Sequence, residues 1–162
     1  MAAGARQVSV RRANAGDAVA IAALARALAL HVSDPDPGED PSALIAACFS
    51  DDAWCECVVA EIAGEVVGYA SYSGRYDPHV RERTLWLSDL AVAGGRRGLG
   101  VGRALMDAVA TRAAELGAGA VAFEVWKENA SALGFYERIG AEHLSDRLLM
   151  RLSVGPRAQS NA

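Results

Sequence analysis

"RRGLGVGRAL", Arg96–Leu105, sets glycines at positions 98, 100 and 102 behind two arginines and runs straight into residues that favour a helix. The preceding "TLWLSDLAVA", Thr84–Ala93, is apolar and suited to a strand, so the segment is a strand-to-helix loop. Glycine has no Cβ, which lets a backbone approach a bulky anion, and the first N–H groups of a helix have no intrahelical acceptor. Arginine adds charge and a bidentate donor. Two familiar phosphate loops fail here. A nucleotide-triphosphate loop needs Lys and then Ser or Thr after its last glycine, whereas Gly102 is followed by Arg103 and Ala104. A dinucleotide fingerprint starting at Gly98 meets Arg103 where its third glycine belongs, and it lies past mid-chain instead of near the start. What remains is R-x-x-G-x-G on Arg97, Gly100 and Gly102, or a plain connecting turn for which one glycine would suffice.

The totals set the frame for that loop. The chain has 162 residues, 52% of them hydrophobic, which suits one packed domain. A net charge of −4 argues against a nucleic-acid surface, which normally carries a basic face or tail. The apolar run "AVAIAALARALAL" is broken by Arg26 and falls short of the roughly 20 residues that span a bilayer. "MAAGARQVSVRR" lacks the order of a secretory leader, so a cytoplasmic location is expected. Cys48, Cys55 and Cys57 are odd in number and "WCEC" lacks the gap of a zinc knuckle. Reduced, mostly buried thiols and no metal are therefore expected. His31, His79 and His143 are scattered.

Along the chain, "VSVRRA" is a strand, followed by Asn14 and Asp17 spaced as an N-cap and a capping-box acid. Ile21, Leu24, Ala25 and Leu28 repeat at helical spacing, and the helix should stop before the acidic, proline-rich "SDPDPGEDP". "PSALIAACF" is a second short helix. "WCECVVAEIAGEVVGYASYSGRY" reads as two strands about a turn at Ala63 and Gly64. After the glycine loop come a helix with Val101, Leu105, Val109 and Leu116 on one side, the strand "AVAFEVW", the helix "NASALGFYERIG" and a last strand "RLLMRLSV". The order βααβββαβαβ predicts an α/β fold with a sheet of mixed direction and helices on both faces. Residues 1–154 are expected to form the domain and 155–162 a flexible tail.

A second motif identifies the first. "NASALGFYERIGA", with Asn129, Ala132, Phe135, Tyr136 and Gly140, resembles the N-x-x-A-x-x-F-Y-x-x-x-G segment of the GCN5-related N-acetyltransferase (GNAT) family, whose acyl-CoA loop is Q/R-x-x-G-x-G/A. The likeness runs from "VSVRRA" to "LLMRLSV", and "TLWLSDLAV" is similar to the corresponding strand of the diamine and thialysine acetyltransferase branch. It implies the family fold: a mixed, mostly antiparallel sheet splayed between two central parallel strands. It also implies acetyl-CoA as cosubstrate and a small-molecule primary amine, polyamine-like or amino-acid-like, as acceptor. A homodimer is a further expectation from the family. Leu90, Ala91, Val92, Arg97, Gly98, Leu99, Gly100, Val101, Gly102, Arg103, Asn129 and Tyr136 are the residues it assigns to the cofactor, with a strand bulge at Leu90 to Val92 freeing a main-chain N–H. Asn129 also suits a helix N-cap.

Acetyl transfer needs a neutral amine, a polarised thioester carbonyl and a proton for the departing thiolate. An amine with a pKa near 10.4 is almost fully protonated at neutral pH, so something must take its proton. Asp89 is the leading base, with Glu124 behind it, although a carboxylate capping backbone N–H groups is an equal reading of Asp89. Tyr136 is the acid that the resemblance implies; a half-buried structural aromatic is its alternative. Asp34, Asp36, Tyr72, Trp86 and Ser88 are the candidates for the acceptor side, because acids and aromatics suit a cation. Ser88 departs from the branch, which usually carries glutamate there. A protein N-terminal or lysine acetyltransferase, and a CoA-binding regulatory module without turnover, are the competing readings.

Overall fold

The computed structural model describes residues 7–146 and 149–152. It comprises two compact units, Met1–Asn129 and Ala130–Ala162. In the first unit the order is β1 (Val8–Arg12), a 3-10 turn (Ala15–Asp17), α1 (Ala18–His31), α2 (Ser42–Phe49), β2 (Glu56–Ile62), β3 (Glu65–Asp77), β4 (Glu82–Val92), a second 3-10 turn (Gly94–Arg96), α3 (Val101–Glu115) and β5 (Ala120–Ala122). The second unit carries α4 (Ala130–Arg138). Among the described residues no helix is long and apolar enough to cross a membrane.

The sheet order is β1-β2-β3-β4-β5, antiparallel throughout except for the parallel pair β4 and β5. This is the mixed, mostly antiparallel sheet that the sequence predicts. Ala63 (φ 54°) and Gly64 (φ 79°) make the β2–β3 turn, and two successive positive φ values match the twist of a two-residue hairpin. Two expectations need correction. Strand β5 covers only Ala120–Ala122 of "AVAFEVW", shorter than expected, and parts from its parallel neighbour β4 after the Trp86–Ala122 pair, which is the expected splay between two parallel strands. The expected strand "RLLMRLSV" lies partly outside the described residues, and its described part, 149–152, is not a strand; the expected tail, 155–162, lies outside them altogether.

The period-2 pattern of the strands sends side chains to two apolar faces. On one face Ile21 of α1 meets Cys57, Val59, Tyr69 and Ala91, with Leu24, Ala25, Leu28, Leu44 and Phe49 packed around them. On the other lies α3, whose Val101, Leu105, Met106, Val109 and Ala113 are buried. Leu116, expected on that stripe, instead caps the end of α3 and is half-buried. Helices thus cover both faces of the first unit. Gly68 allows α3 to seat: a Cβ there would lie 2.8 Å from the Ala91 carbonyl oxygen and 3.0 Å from Val101 Cγ1.

Where β1 hands over to α1, the expected capping box forms. The Asn14 side chain accepts from the Gly16 N–H at 2.8 Å, and the Asn14 N–H donates to Asp17 Oδ2 at 2.9 Å. The box closes the 3-10 turn that leads into α1, not α1 itself. Asp17 is buried and receives both terminal nitrogens of Arg11 at 2.8 Å. The Arg11 hydrogen bonds hold its carboxyl below the usual carboxylate range against the opposing effect of burial.

Two stability outcomes follow from these contacts. Gly68→Ala forces backbone or α3 to shift and is expected to cost about 1–3 kcal/mol in denaturant unfolding. Asp17→Asn is expected to lose about 1–3 kcal/mol near pH 7. Because the folded carboxyl titrates below the unfolded one, this contribution is complete above the ordinary carboxylate pKa of about 3.9 and vanishes as pH falls through the lowered folded value. Variant and parent stabilities should therefore converge in acid.

Candidate functional site

The glycine loop is built by its backbone. Strand β4 ends as the Ala93 N–H donates to the Val67 carbonyl at 2.9 Å, the Gly94–Arg96 turn follows, and Arg97 is extended. Gly98 (φ 78°) and Gly100 (φ 82°) are both left-handed, a conformation that costs an L side chain roughly 1–2 kcal/mol. Gly100 is the N-cap of α3 and supplies no side-chain acceptor. The Ala104 N–H donates to the Gly100 carbonyl at 3.0 Å, so the N–H groups of Val101, Gly102 and Arg103 come before that first intrahelical bond. Nothing lies within 4 Å of where a Cβ would stand on Gly98 or Gly100. The loop is an open cradle of donors at the positive end of the α3 dipole.

The arginines divide. Arg96 is held by Glu65 at 2.9 Å, and Arg103 by Asp107 one helical turn on at 2.9 Å. Arg97 is exposed and, among the described residues, makes no salt bridge. It is the arginine whose charge the fold leaves uncommitted.

Beside the loop the sheet opens. β4 pairs with β5 only from Thr84 to Trp86, yet continues to Val92. In an antiparallel ladder successive N–H groups alternate sides. Since Ala93 donates to β3, Ala91 does likewise, and the N–H groups of Leu90 and Val92 point away from β3 into the gap that β5 has left. The expected bulge is displaced. Gly68, Tyr69 and Ala70 pair regularly with Val92, Ala91 and Leu90, and the register shift falls where Ser71 faces Asp89 and Tyr72 faces Leu87. Ser88 is the extra, exposed residue. Among the described strands, the N–H groups turned from β3 are left unpaired by strand divergence, not by a bulge at Leu90 to Val92.

Asp89 lies on the α1 face of β4, half-buried, and accepts a hydrogen bond from the Tyr69 hydroxyl at 2.9 Å. Burial, reinforced by the neighbouring Asp89 charge, pushes the Tyr69 phenol well above its ordinary pKa. It therefore stays a donor and fixes one carboxylate oxygen. Trp86 is half-buried on β4 before the bulge. Tyr72, expected on the acceptor side, is instead fully buried on the α3 face, where Glu56 and Arg112 bear on its hydroxyl. The one-residue alternation of β3 sends Tyr69 to one face and Tyr72 to the other. The acidic loop is also less negative than its composition suggests. Arg26 of α1 pairs with Asp36 at 2.9 Å and with Glu39, Asp40 accepts from the Ser42 N–H and hydroxyl, and Asp34 is exposed.

The chain also gathers what local spacing kept apart. The sulfurs of Cys48, Cys55 and Cys57 all lie within 4.8 Å of one another. The alternation of Cys55 and Cys57 was a legible sign that they share a face. The approach of Cys48 was not, since it depends on the Cys55 N–H reaching back to the Ala47 carbonyl of α2 at 3.3 Å.

In the second unit Tyr136 of α4 is half-buried, edge-on to Phe135 with ring centroids 5.1 Å apart. Burial pushes its phenol up to about 12. Asn129 closes the first unit, and its N–H donates to the Trp126 carbonyl at 2.9 Å.

A sequence profile of the acetyltransferase (GNAT) family matches residues 22–141. The chain belongs to the GNAT acetyltransferase family. It is an acetyl-transferring enzyme, and the family's acetyl donor is acetyl-CoA. Thialysine N-epsilon-acetyltransferase of Bos taurus is 32% identical over 148 residues, covering 86% of this chain and 86% of that enzyme. L-ornithine N5-acetyltransferase of Arabidopsis thaliana is 31% identical over 88 residues, covering 54% of this chain and 39% of that enzyme. In fold, the chain is similar to an aminoglycoside acetyltransferase from an uncultured soil metagenomic sample, with a TM-score of 0.73 and 19% identity over 90% of this chain and 97% of that one. In this GNAT enzyme the open Gly98–Gly100 cradle and the N–H groups behind it offer room and donors of the kind a diphosphate needs.

The left-handed backbone of the cradle is open to glycine but strained for an L side chain. Gly100→Ala places a side chain at φ 82° and is expected to lower the melting temperature by about 2–4 °C, the effect of roughly 1 kcal/mol in a domain of this size.

Proposed function

We propose that this enzyme transfers the acetyl group of acetyl-CoA directly to a primary amine of a small, cationic, polyamine-like or amino-acid-like molecule. The observation that carries the reading is the pairing of an anion cradle at Arg97–Arg103 with an adjacent opened strand edge, beside which Asp89 stands. Likeness to thialysine and ornithine acetyltransferases over 86% and 54% of the chain supports the small-amine class.

When bound, acetyl-CoA supplies the activated thioester. Arg97 and the N–H groups of Val101, Gly102 and Arg103 hold the diphosphate at the helix terminus. Gly98 and Leu99 shape the loop between Arg97 and those N–H groups. The N–H groups of Leu90 and Val92, aimed into the gap, donate to the pantetheine arm and polarise the carbonyl, where removal of one such donor typically costs about 100-fold or more. Ala91 between them is buried and anchors the strand. Asp89, oriented by Tyr69, takes the ammonium proton directly or through water. Trp86 and Ser88 flank the acceptor on β4, with Asp34 and the Arg26-tethered Asp36 on the loop ahead of α2 steering cations. Asn129 binds the amide-bearing arm. Tyr136 gives its proton to the departing thiolate; burial raises its phenol to about 12, which keeps the proton in place at neutral pH while making it a weaker donor.

Thiol release from acetyl-CoA, measured with a panel of diamines, basic amino acids and lysine- or N-terminal-amine peptides, tests the reading. Turnover with small amines and little with peptides is expected; peptide preference, or no turnover despite CoA binding, would overturn it. Arg97→Ala is expected to raise the KM for acetyl-CoA about 5- to 20-fold while leaving the KM for amine nearly constant. Tyr136→Phe is expected to lower kcat by about 100-fold or more at nearly unchanged CoA affinity. Loss of the Tyr136 proton should produce no alkaline fall in kcat below about pH 10, since the raised phenol pKa keeps the acid loaded there.

A further inference from the structure

The acetyl-transfer scheme proposed above assigns no role to the three thiols. Cys48 is on the last turn of α2, Cys55 immediately precedes β2, and Cys57 is on β2. Cys48 Sγ stands 2.7 Å from Cys55 Sγ and 3.7 Å from Cys57 Sγ. Cys48 and Cys55 are half-buried, whereas Cys57 is 2% exposed. The turn between α2 and β2 is closed by the Trp54 and Cys55 N–H groups, both donating to the Ala47 carbonyl, so the backbone brings these two cysteines together before any sulfur chemistry.

Charge decides which chemistry such a trio supports. A metal would require two or three thiolates at this site, and the charged side chain that bears on Cys55 and Cys57 is Asp89, another anion. The leading influences on both thiols, burial, the neighbouring sulfurs and Asp89, include no lysine, arginine or histidine. Burial raises both thiols above their ordinary pKa, Cys55 to about 12. A dithiol and a disulfide are both neutral and carry no such desolvation cost. Forming a sulfur–sulfur bond of about 2.05 Å needs a side-chain movement of less than ~1 Å from the Cys48–Cys55 contact.

We propose that Cys48 and Cys55 form a reversible intramolecular disulfide by exchange with a low-molecular-weight disulfide, RSSR, while Cys57 stays reduced beneath them. One cysteine gives up its proton and, as thiolate, displaces RS⁻, which takes up that proton, to give a protein–SR mixed disulfide. The other cysteine then displaces the second RS⁻, whose sulfur takes up the thiol proton. The balance is P(SH)₂ + RSSR → P(S–S) + 2 RSH: the two cysteines are oxidised and RSSR is reduced. The bond ties the end of α2 to the start of β2 on the face that also holds Asp89 and Tyr69.

The test uses the full chain with excess oxidised glutathione, acid quenching, alkylation under denaturing conditions and peptide mass spectrometry. The sequence lacks Lys and Arg between Arg26 and Arg75, but cleavage at Asp51 or Asp52 and after Glu56 separates the three cysteines. A Cys48–Cys55 cross-link with alkylated Cys57, reversed by dithiothreitol, is expected. Cys57→Ser should preserve the cross-link. Cys48→Ser should end as a glutathione adduct on Cys55. Glutathione adducts as the end product of the parent protein, a cross-link through Cys57, or a stoichiometric zinc or copper ion that shields the thiols from alkylation would each overturn the proposal.

Discussion

The parting of β5 from β4 after Trp86 and Ala122 is the constraint on which the rest of the site depends. While two strands stay paired, each commits its backbone donors to the other. Once they diverge, the N–H groups of Leu90 and Val92 need an acceptor from elsewhere. The same β4 strand then delivers the chain to the glycine loop, so the two groups of available donors are joined by a few residues of rigid backbone. A polar thioester and a diphosphate are the kind of ligand that such a row of donors satisfies.

Rigidity comes from the packing on either side. Gly68 brings α3 close enough for Val101 and Leu105 to bury against the sheet, which fixes the helix terminus relative to β4. On the opposite face Tyr69 is fully buried and reaches Asp89, so the orientation of one carboxylate is set by a core residue and not by solvent-exposed neighbours. The arginines show a similar sorting of charge: Arg96 and Arg103 are paired with Glu65 and Asp107, and Arg97, among the described residues, makes no salt bridge.

Much of this was legible in the sequence because it depends on local stereochemistry. The alternation of β2 and β3, the Ala63–Gly64 turn, the Asn14–Asp17 box and the requirement for glycine at 98 and 100 are all statements about a few adjacent residues. The misreadings share another cause. The bulge at Ser88, the turning of Tyr72 beneath α3, the pairing of Arg26 with Asp36 and the shortness of β5 depend on which strand or helix lies alongside, and composition does not state that.

The sequence by itself determined the glycine loop, the strand-to-helix order around it and the family motifs, because glycine's access to positive φ and the periodicity of apolar residues are properties of the chain alone. Only the tertiary structure decided which donors are free, which carboxylate is oriented and which three sulfurs meet. Those outcomes arise from register and packing between segments far apart in sequence: Tyr69 with Asp89, Arg96 with Glu65, and Cys48 with Cys55 across the turn from α2 to β2.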